Sequence, residues 1–347
     1  MPSGDRAMAR NVIAALEAGG AEVVLASDLR LYEGRGDAVV QEGLCAKAKA
    51  EVERVVAGLR GAPPEIWVTY HNYYKSPDLI GHAVSSALGI PYVQIETSRA
   101  RSRLKGPWAR FAKAAEAAAD RADVIFYMTE HDRGTLERDR AGSQRLVHLP
   151  PFLPRGDLPA SARPGENRTI LAAGMMRARA KRESYQLIAD ALVQLEDEDW
   201  VLEIAGDGRA RAEVEAMMQP IAARTRFLGQ LDPESMAAAY ARAGLFLWPG
   251  VDEAYGMVYL EAQAAGLPVV AQDRPGVRDV LGPRMTSPSP DQGAEGLAEA
   301  IRHLLANPEE REAVGAAGRA YVSENHLLSS AAARFSEVLA SLKGGAA

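Results

Sequence analysis

The apolar residues along this chain fall into two alternating rhythms. Met8, Val12, Ala15 and Leu16 recur three and four apart within Asp5–Ala18, which predicts an amphipathic helix stopped by Gly19-Gly20. Ala21–Ser27, AEVVLAS, reads as a strand, and Asp37–Leu59 as a second helical region. Short apolar runs follow at Ile66–Tyr70, Tyr92–Ile95, Val124–Met128 and Leu146–Leu149, each separated by helical or loop sequence. Prolines at 150, 151, 154, 159 and 164, with glycines at 156 and 165, then block both helix and central strand. Beyond them the runs resume at Thr169–Ala173, Trp200–Ala205, Thr225–Leu228, Leu245–Trp248 and Pro268–Ala271. Strands alternating with helices predict an α/β fold with parallel sheets covered on both faces. The expected division is an N-terminal domain over 1–149, a linker over 150–165, a second domain over 166–325 and a closing helical segment over 326–347. In that segment Leu327, Leu328, Ala331, Phe335, Val338 and Leu339 keep helical spacing.

Open α/β domains begin with a central strand, yet this sequence opens on the loop Pro2-Ser3-Gly4-Asp5. An apolar strand encoded by roughly 5–15 residues upstream is therefore expected. A length of 347 residues suits two domains, and the 47% hydrophobic and 25% charged fractions are those of a globular protein. The single cysteine, Cys45, excludes an internal disulfide and reads as a buried helix thiol. MPSGDRAMAR lacks a signal-peptide core and no run reaches membrane-spanning length, so a cytoplasmic protein is expected. Residues 1–150 carry 20 Lys/Arg against 19 Asp/Glu, a net +1, and the remainder 20 against 27, a net −7; no nucleic-acid partner is indicated.

The richest chemistry is in Trp248–Gln272, WPGVDEAYGMVYLEAQAAGLPVVAQ. It reads as strand end, turn, helix, Gly266 cap and new strand: one parallel crossover unit. Gly256 stands at the helix start, where free N–H groups and the helix dipole attract an anion. Glu253 lies before that point and Glu261 one turn beyond it. Carboxylates on both sides of a phosphate site suit a ligand with hydroxyls on both sides of a diphosphate, which a nucleotide sugar is. Two acids placed only by the dipole are the plainer alternative. The turns ILAAGMM and LEIAGDG place Gly174, Gly206, Asp207 and Gly208 at the carboxyl ends of their strands, where such sheets bind ligands. Arg177, Arg179 and Lys181 follow the first of these turns; they read as charge for a leaving diphosphate or as a solvated basic turn. Asp197-Glu198-Asp199 precedes a strand, at the wrong end of the sheet, and reads as a solvated acidic turn; no metal or other cofactor is expected.

In the first half, His71 follows an apolar run and is flanked by Tyr70, Asn72, Tyr73, Tyr74 and Lys75, groups suited to a sugar. Tyr92–Ser98 brings Glu96 to the same rim. Arg99–Lys113 carries six basic residues, no acid, and Leu104, Trp108 and Phe111 between them: a solvated basic face or a contact with anionic lipid.

Glu253, seven intervening residues and Glu261, running on as EAQAAGLPVVA, resemble the donor signature of the family 4 retaining glycosyltransferases with the GT-B fold. The resemblance spans Thr169 to Val322 strongly and Ser3 to Leu149 more loosely. It implies two Rossmann-like domains facing across a cleft, the last helix crossing back to the first domain. A hexosyl unit would pass from a nucleotide diphosphate sugar to a hydroxyl of a sugar or lipid-linked acceptor, in glycolipid or surface-polysaccharide synthesis. It also implies roles. Glu253 would hold the transferred sugar and Glu261 the ribose, with Arg177 and Lys181 on the diphosphate. Tyr255 and the backbone at Gly4, Gly256 and Met257 would line the donor, and His71, Tyr73 and Glu96 the acceptor side. The family spaces its Arg and Lys one residue further apart, so Arg179 is an alternative to Arg177. Many members carry a histidine where this chain has Glu96. A nucleotide-sugar epimerase and a non-catalytic nucleotide-sugar binder share the fold and remain as alternatives.

Overall fold

The computed structural model describes residues 4–162, 167–177 and 180–343. It divides into two compact units, Met1–Pro150 with Ala331–Ala347, and Pro151–Ser330. In the first unit α1 (Gly4–Ala18) and α2 (Ala38–Leu59) precede β1 (Trp67–Asn72), α3 (Gly81–Leu88), β2 (Tyr92–Thr97), α4 (Ala109–Arg121), β3 (Val124–Tyr127), α5 (Glu130–Arg138) and β4 (Arg145–His148). The strands lie in the order β1-β2-β3-β4, all parallel, because each return crosses through a helix. The VIFY run of β3 is wholly buried, as an inner parallel strand covered on both faces must be. Phe126 on β3 meets Phe335, 5.0 Å between ring centroids, on the closing helix α12 (Leu328–Lys343). Ser336 Oγ on that helix donates to the Gly19 carbonyl at the end of α1 (2.7 Å).

Three expectations change here. Gly4 and Asp5 open helix α1 rather than standing in a loop, while Pro2 and Ser3 fall outside the described residues. AEVVLAS forms no strand: Val24 and Leu25 are 71% and 75% exposed. Its residues favour strands, but β1 is the edge of the sheet and no described strand lies beyond it to pair with. Cys45, read as buried, is only partly so, and what burial it has pushes its thiol up.

The second unit runs β5 (Thr169–Ala173), α6 (Ala180–Val193), β6 (Val201–Ala205), α7 (Arg211–Met217), β7 (Thr225–Gly229), α8 (Pro233–Arg242), β8 (Leu245–Leu247), α9 (Met257–Ala264), β9 (Val269–Val270), α10 (Gly293–Ala306) and α11 (Pro308–Asn325). Its strand order is β7-β6-β5-β8-β9. The chain winds outward from β5 to β7, then returns to the other side of β5 with β8. That reversal is a topological switch point, and the carboxyl ends of β5 and β8 flank it. They deliver Gly174–Arg177 and Trp248–Gly256 to one place. Both sheets are therefore Rossmann-like, doubly covered and parallel.

Candidate functional site

The loops leaving β5 and β6 lie against each other. Gly174 N–H donates to the Ala205 carbonyl (3.0 Å), Met176 N–H to that of Asp207 (3.0 Å), and Ala210 N–H to that of Met176 (3.0 Å). Gly206 has φ +144°, and a Cβ there would strike the Gly174 carbonyl oxygen. Only glycine lets the two backbones come this close. Asp207 is exposed beside this seam.

Trp248, fully buried at the end of β8, organises the middle of the switch point. Its indole N–H donates to Glu253 Oε1 (2.8 Å), and Lys181 Nζ on α6 both pairs with that same oxygen and sits 5.2 Å from the indole ring centre. A Cβ on Gly174 would meet the ring at 2.6 Å. Below, Tyr259 on α9 donates its hydroxyl to the Trp248 carbonyl (3.1 Å). Three residues singled out from the sequence, Gly174, Lys181 and Glu253, thus meet around a fourth that sequence reading passed over as a strand end. Trp248 carried no signal of its own, because its part depends on the three elements that close on it.

Gly256 sits at φ +64° as the N-cap of α9, and no side chain caps that helix. The Met257 and Val258 N–H groups at this N-terminus therefore point to a ready anion site. Tyr255 is partly buried against the core beside it. One turn into α9, Glu261 Oε2 accepts from the Tyr240 hydroxyl of α8 (2.8 Å). The residue keeps some solvent access, yet its carboxyl is packed round by protein. Burial pushes that carboxyl above the usual carboxylate range, and the Tyr240 hydrogen bond offsets part of the rise. Arg177 is exposed after β5 and is not drawn into this cluster; Arg179 lies outside the described residues. Asp197-Glu198-Asp199 occupies the turn before β6, at the far end of the strand from Gly206, where Glu198 pairs with Arg168 (3.2 Å).

Residues 167–307 match the family model described as Glycosyl transferases group 1. That match takes in β5 through α10 of the second unit, and the fold is of the GT-B kind. Among curated relatives, a GDP-mannose-dependent alpha-(1-6)-phosphatidylinositol monomannoside mannosyltransferase of Mycolicibacterium smegmatis is 28% identical over 240 residues, 63% of this chain and 62% of that protein. A GDP-mannose-dependent monoacylated alpha-(1-6)-phosphatidylinositol monomannoside mannosyltransferase of Corynebacterium glutamicum is 35% identical over 131 residues, 36% of this chain. The chain spans 34% of the length of the latter relative and 62% of the former. Sucrose-phosphate synthase from Thermosynechococcus elongatus shares the fold, with a TM-score of 0.72 at 20% identity over 99% of this chain and 94% of that one. A glycosyltransferase from Rickettsia africae does so with a TM-score of 0.69 at 12% identity over 96% and 94%.

The first unit holds the other sequence-predicted group, and it is strained. His71 (φ +71°) and Glu96 (φ +58°) both have left-handed backbones. Tyr70 pairs with Ile95 and Asn72 with Thr97, so the two lie at one level on neighbouring strands. Non-glycine residues in this region cost about 1–3 kcal/mol each and gather at functional sites. The His71 ring stacks on Tyr73 at 4.6 Å. Gly4, expected beside the donor, is the first residue of α1 in this unit.

The basic segment resolves into two sets. Arg99 is buried between Glu116 (2.7 Å) and Asp120 (2.7 Å), Arg101 pairs with Asp139, and Arg110 with Glu42 (3.6 Å). Phe111 is fully buried in α4. Arg99 and Phe111 thus brace the unit from inside, whereas the side chains of Arg101 and Arg110 stay exposed beside their partners. No helix among the described residues is long and apolar enough to cross a membrane.

Proposed function

We propose that this protein is a retaining, metal-independent hexosyltransferase that moves mannose from GDP-mannose to a hydroxyl of a glycolipid acceptor. The observation that carries the reading is the pair of carboxylates bracketing the uncapped N-terminus of α9 at the switch point of the second sheet. The diphosphate takes the Gly256–Val258 backbone, with Lys181 and Arg177 balancing charge as it leaves. Glu253, held by Trp248, takes the sugar hydroxyls, and Glu261 those of the ribose. The acceptor oxygen bonds to the anomeric carbon on the face from which the phosphate departs. The carbon–oxygen bond to phosphate breaks, and the acceptor's proton passes to the departing phosphate oxygen. His71, Tyr73 and Glu96 serve the acceptor. GDP-mannose and a phosphatidylinositol-type acceptor are favoured by what the curated relatives are named for. An acceptor in a lipid surface also suits a protein working at the inner face of the membrane.

The test is a thermal-shift comparison of GDP, UDP and ADP, followed by transfer of labelled mannose to phosphatidylinositol and its mannosides. A ligand at 100 times its Kd stabilises by about 2.7 kcal/mol, a readily measured rise in Tm. Stabilisation by UDP alone would reassign the donor. Binding of GDP-mannose without transfer to any acceptor would leave only a binding protein.

A further inference from the structure

A closed ring of buried hydrogen bonds joins β1, β2 and the loop after β1, and the proposed transfer chemistry uses none of it. The Tyr92 hydroxyl donates to Asp78 Oδ2 and accepts from Gln94 Nε2 (2.5 Å). Gln94 Oε1 in turn accepts from Asn72 Nδ2 (3.3 Å), and Asn72 Oδ1 accepts from the Asp78 N–H (2.9 Å). The circuit thus returns to the residue where it began. The Thr97 hydroxyl joins it by donating to Gln94 Oε1 (2.8 Å). Gln94 and Thr97 are wholly buried, Asn72 and Tyr92 nearly so.

The direction of the ring follows from its donors. A carboxylate only accepts, and Asp78 Oδ1 already takes the N–H groups of Ile80 (2.9 Å) and Gly81 (2.7 Å) at the start of α3. The single Tyr92 hydroxyl proton goes to Oδ2, which leaves the hydroxyl oxygen to accept from an amide. Gln94 therefore presents its NH2 there, and its carbonyl oxygen is aimed at Asn72 and Thr97. Those two residues follow His71 and Glu96, the two left-handed positions. Asn72 is anchored further: its amide donates to the Ala115 carbonyl of α4 (3.0 Å), and its own carbonyl accepts from the Ser98 N–H (3.1 Å). An apolar side chain of similar size would fill position 94 of an inner strand without burying an amide. A satisfied polar network in that place specifies one geometry, and the geometry beside it is strained.

We propose that Gln94, Asn72 and Thr97 are positioning residues, which hold the left-handed backbones of His71 and Glu96 and so fix where those two side chains leave the sheet. Released from the ring, both strand ends would fall back to ordinary extended geometry and turn the two side chains from their present directions. The link from positioning to turnover rests on the glycosyl-transfer reading; the mechanical coupling does not.

The experiment is a double-mutant cycle on the full chain, read by native-state hydrogen exchange at the β1 and β2 amides. Gln94→Met breaks the ring; Thr97→Val breaks it more mildly and carries the test if the first variant does not fold, while Thr97→Ser keeps the hydroxyl. Each is combined with His71→Gly/Glu96→Gly, which removes the strain. The glycine pair should raise protection by about tenfold more in the otherwise unaltered chain than in Gln94→Met, whose strand ends have already relaxed. The effect of glycine on the unfolded chain is common to both arms and cancels. Additive effects would mean that the ring only holds the core together, and overturn the proposal. Transfer kinetics supply the second readout. Acceptor kcat/KM should fall about tenfold in Gln94→Met and Thr97→Val and recover in Thr97→Ser, with GDP affinity held within about twofold. Unchanged kcat/KM in a folded ring-broken variant overturns the proposal as well. If the unaltered chain transfers no sugar, the glycosyl-transfer reading falls, and the cycle, which needs no substrate, still decides whether the ring holds the strain.

Discussion

Replacing Glu253 by glutamine separates two things that its carboxylate does. The side chains of Lys181 and Glu253 are 24% and 12% exposed, so their ion pair lies between a surface pair and a buried one. About 1 kcal/mol is a reasonable value for such a pair, which corresponds to roughly fivefold in an equilibrium. A diphosphate that recruits Lys181 must draw it from Glu253 and bear that cost. In Glu253→Gln the lysine is released, so GDP should bind equally well or up to about fivefold more tightly. The amide oxygen can still accept from the Trp248 indole, and the fold should lose no more than about 1–2 kcal/mol. Catalysis should move the other way. Positive charge grows on the sugar as its bond to phosphate breaks, and a lost electrostatic contact of this kind lowers kcat by roughly 10²-fold. Calorimetric titration of GDP and GDP-mannose, alongside steady-state transfer kinetics, reads both effects. GDP binding weakened tenfold with kcat intact would show that Glu253 belongs to the diphosphate and not to the sugar.

Two further outcomes follow from the same cluster. Trp248→Phe keeps a ring beneath Lys181 but removes the donor to Glu253; kcat should fall about tenfold, the value of one charged hydrogen bond, with nucleotide affinity nearly unchanged, and an unchanged kcat in a folded variant would refute the positioning role. For Glu261 the raised folded-state pKa means that the folded chain holds its proton more tightly than the unfolded one, so its contribution to stability declines as pH rises from the ordinary carboxylate range through the raised value. Ribose hydroxyls donate to the ionised form, so GDP-mannose affinity should instead fall as pH drops through that value, and titrations of Glu261→Gln should be flat across the same range.

The elements read most clearly from sequence were those whose burial is set by the run itself. VIFY and TILAA are continuous apolar stretches that fit only inner parallel strands, and both are. The α9 helix was legible because Gly256 and Gly266 mark its ends, and the structure gives them φ +64° and +82°. AEVVLAS shows the opposite case: β propensity is local, but a strand exists only with a neighbour to share its hydrogen bonds, and none is described beyond β1. Trp248 escaped for a related reason, since what matters there is which separate loops converge on it. The left-handed backbones of His71 and Glu96 could not be anticipated at all, because neither residue type favours that conformation as glycine does.

Those two backbones set a trade between durability and chemistry. Together they hold roughly 2–6 kcal/mol of conformational strain, a large share of the 5–15 kcal/mol by which a folded domain typically exceeds its unfolded chain. The rest of the first unit must supply that margin, through its buried β3 run and its ion-paired Arg99. Glycine at position 71 or 96 would relax the strand ends and toughen the protein, at the expense of the side chains carried there. Selection for thermal endurance alone would therefore drift toward glycine at these two positions, and a robust, inert descendant would be the sign that the strain was being kept for use.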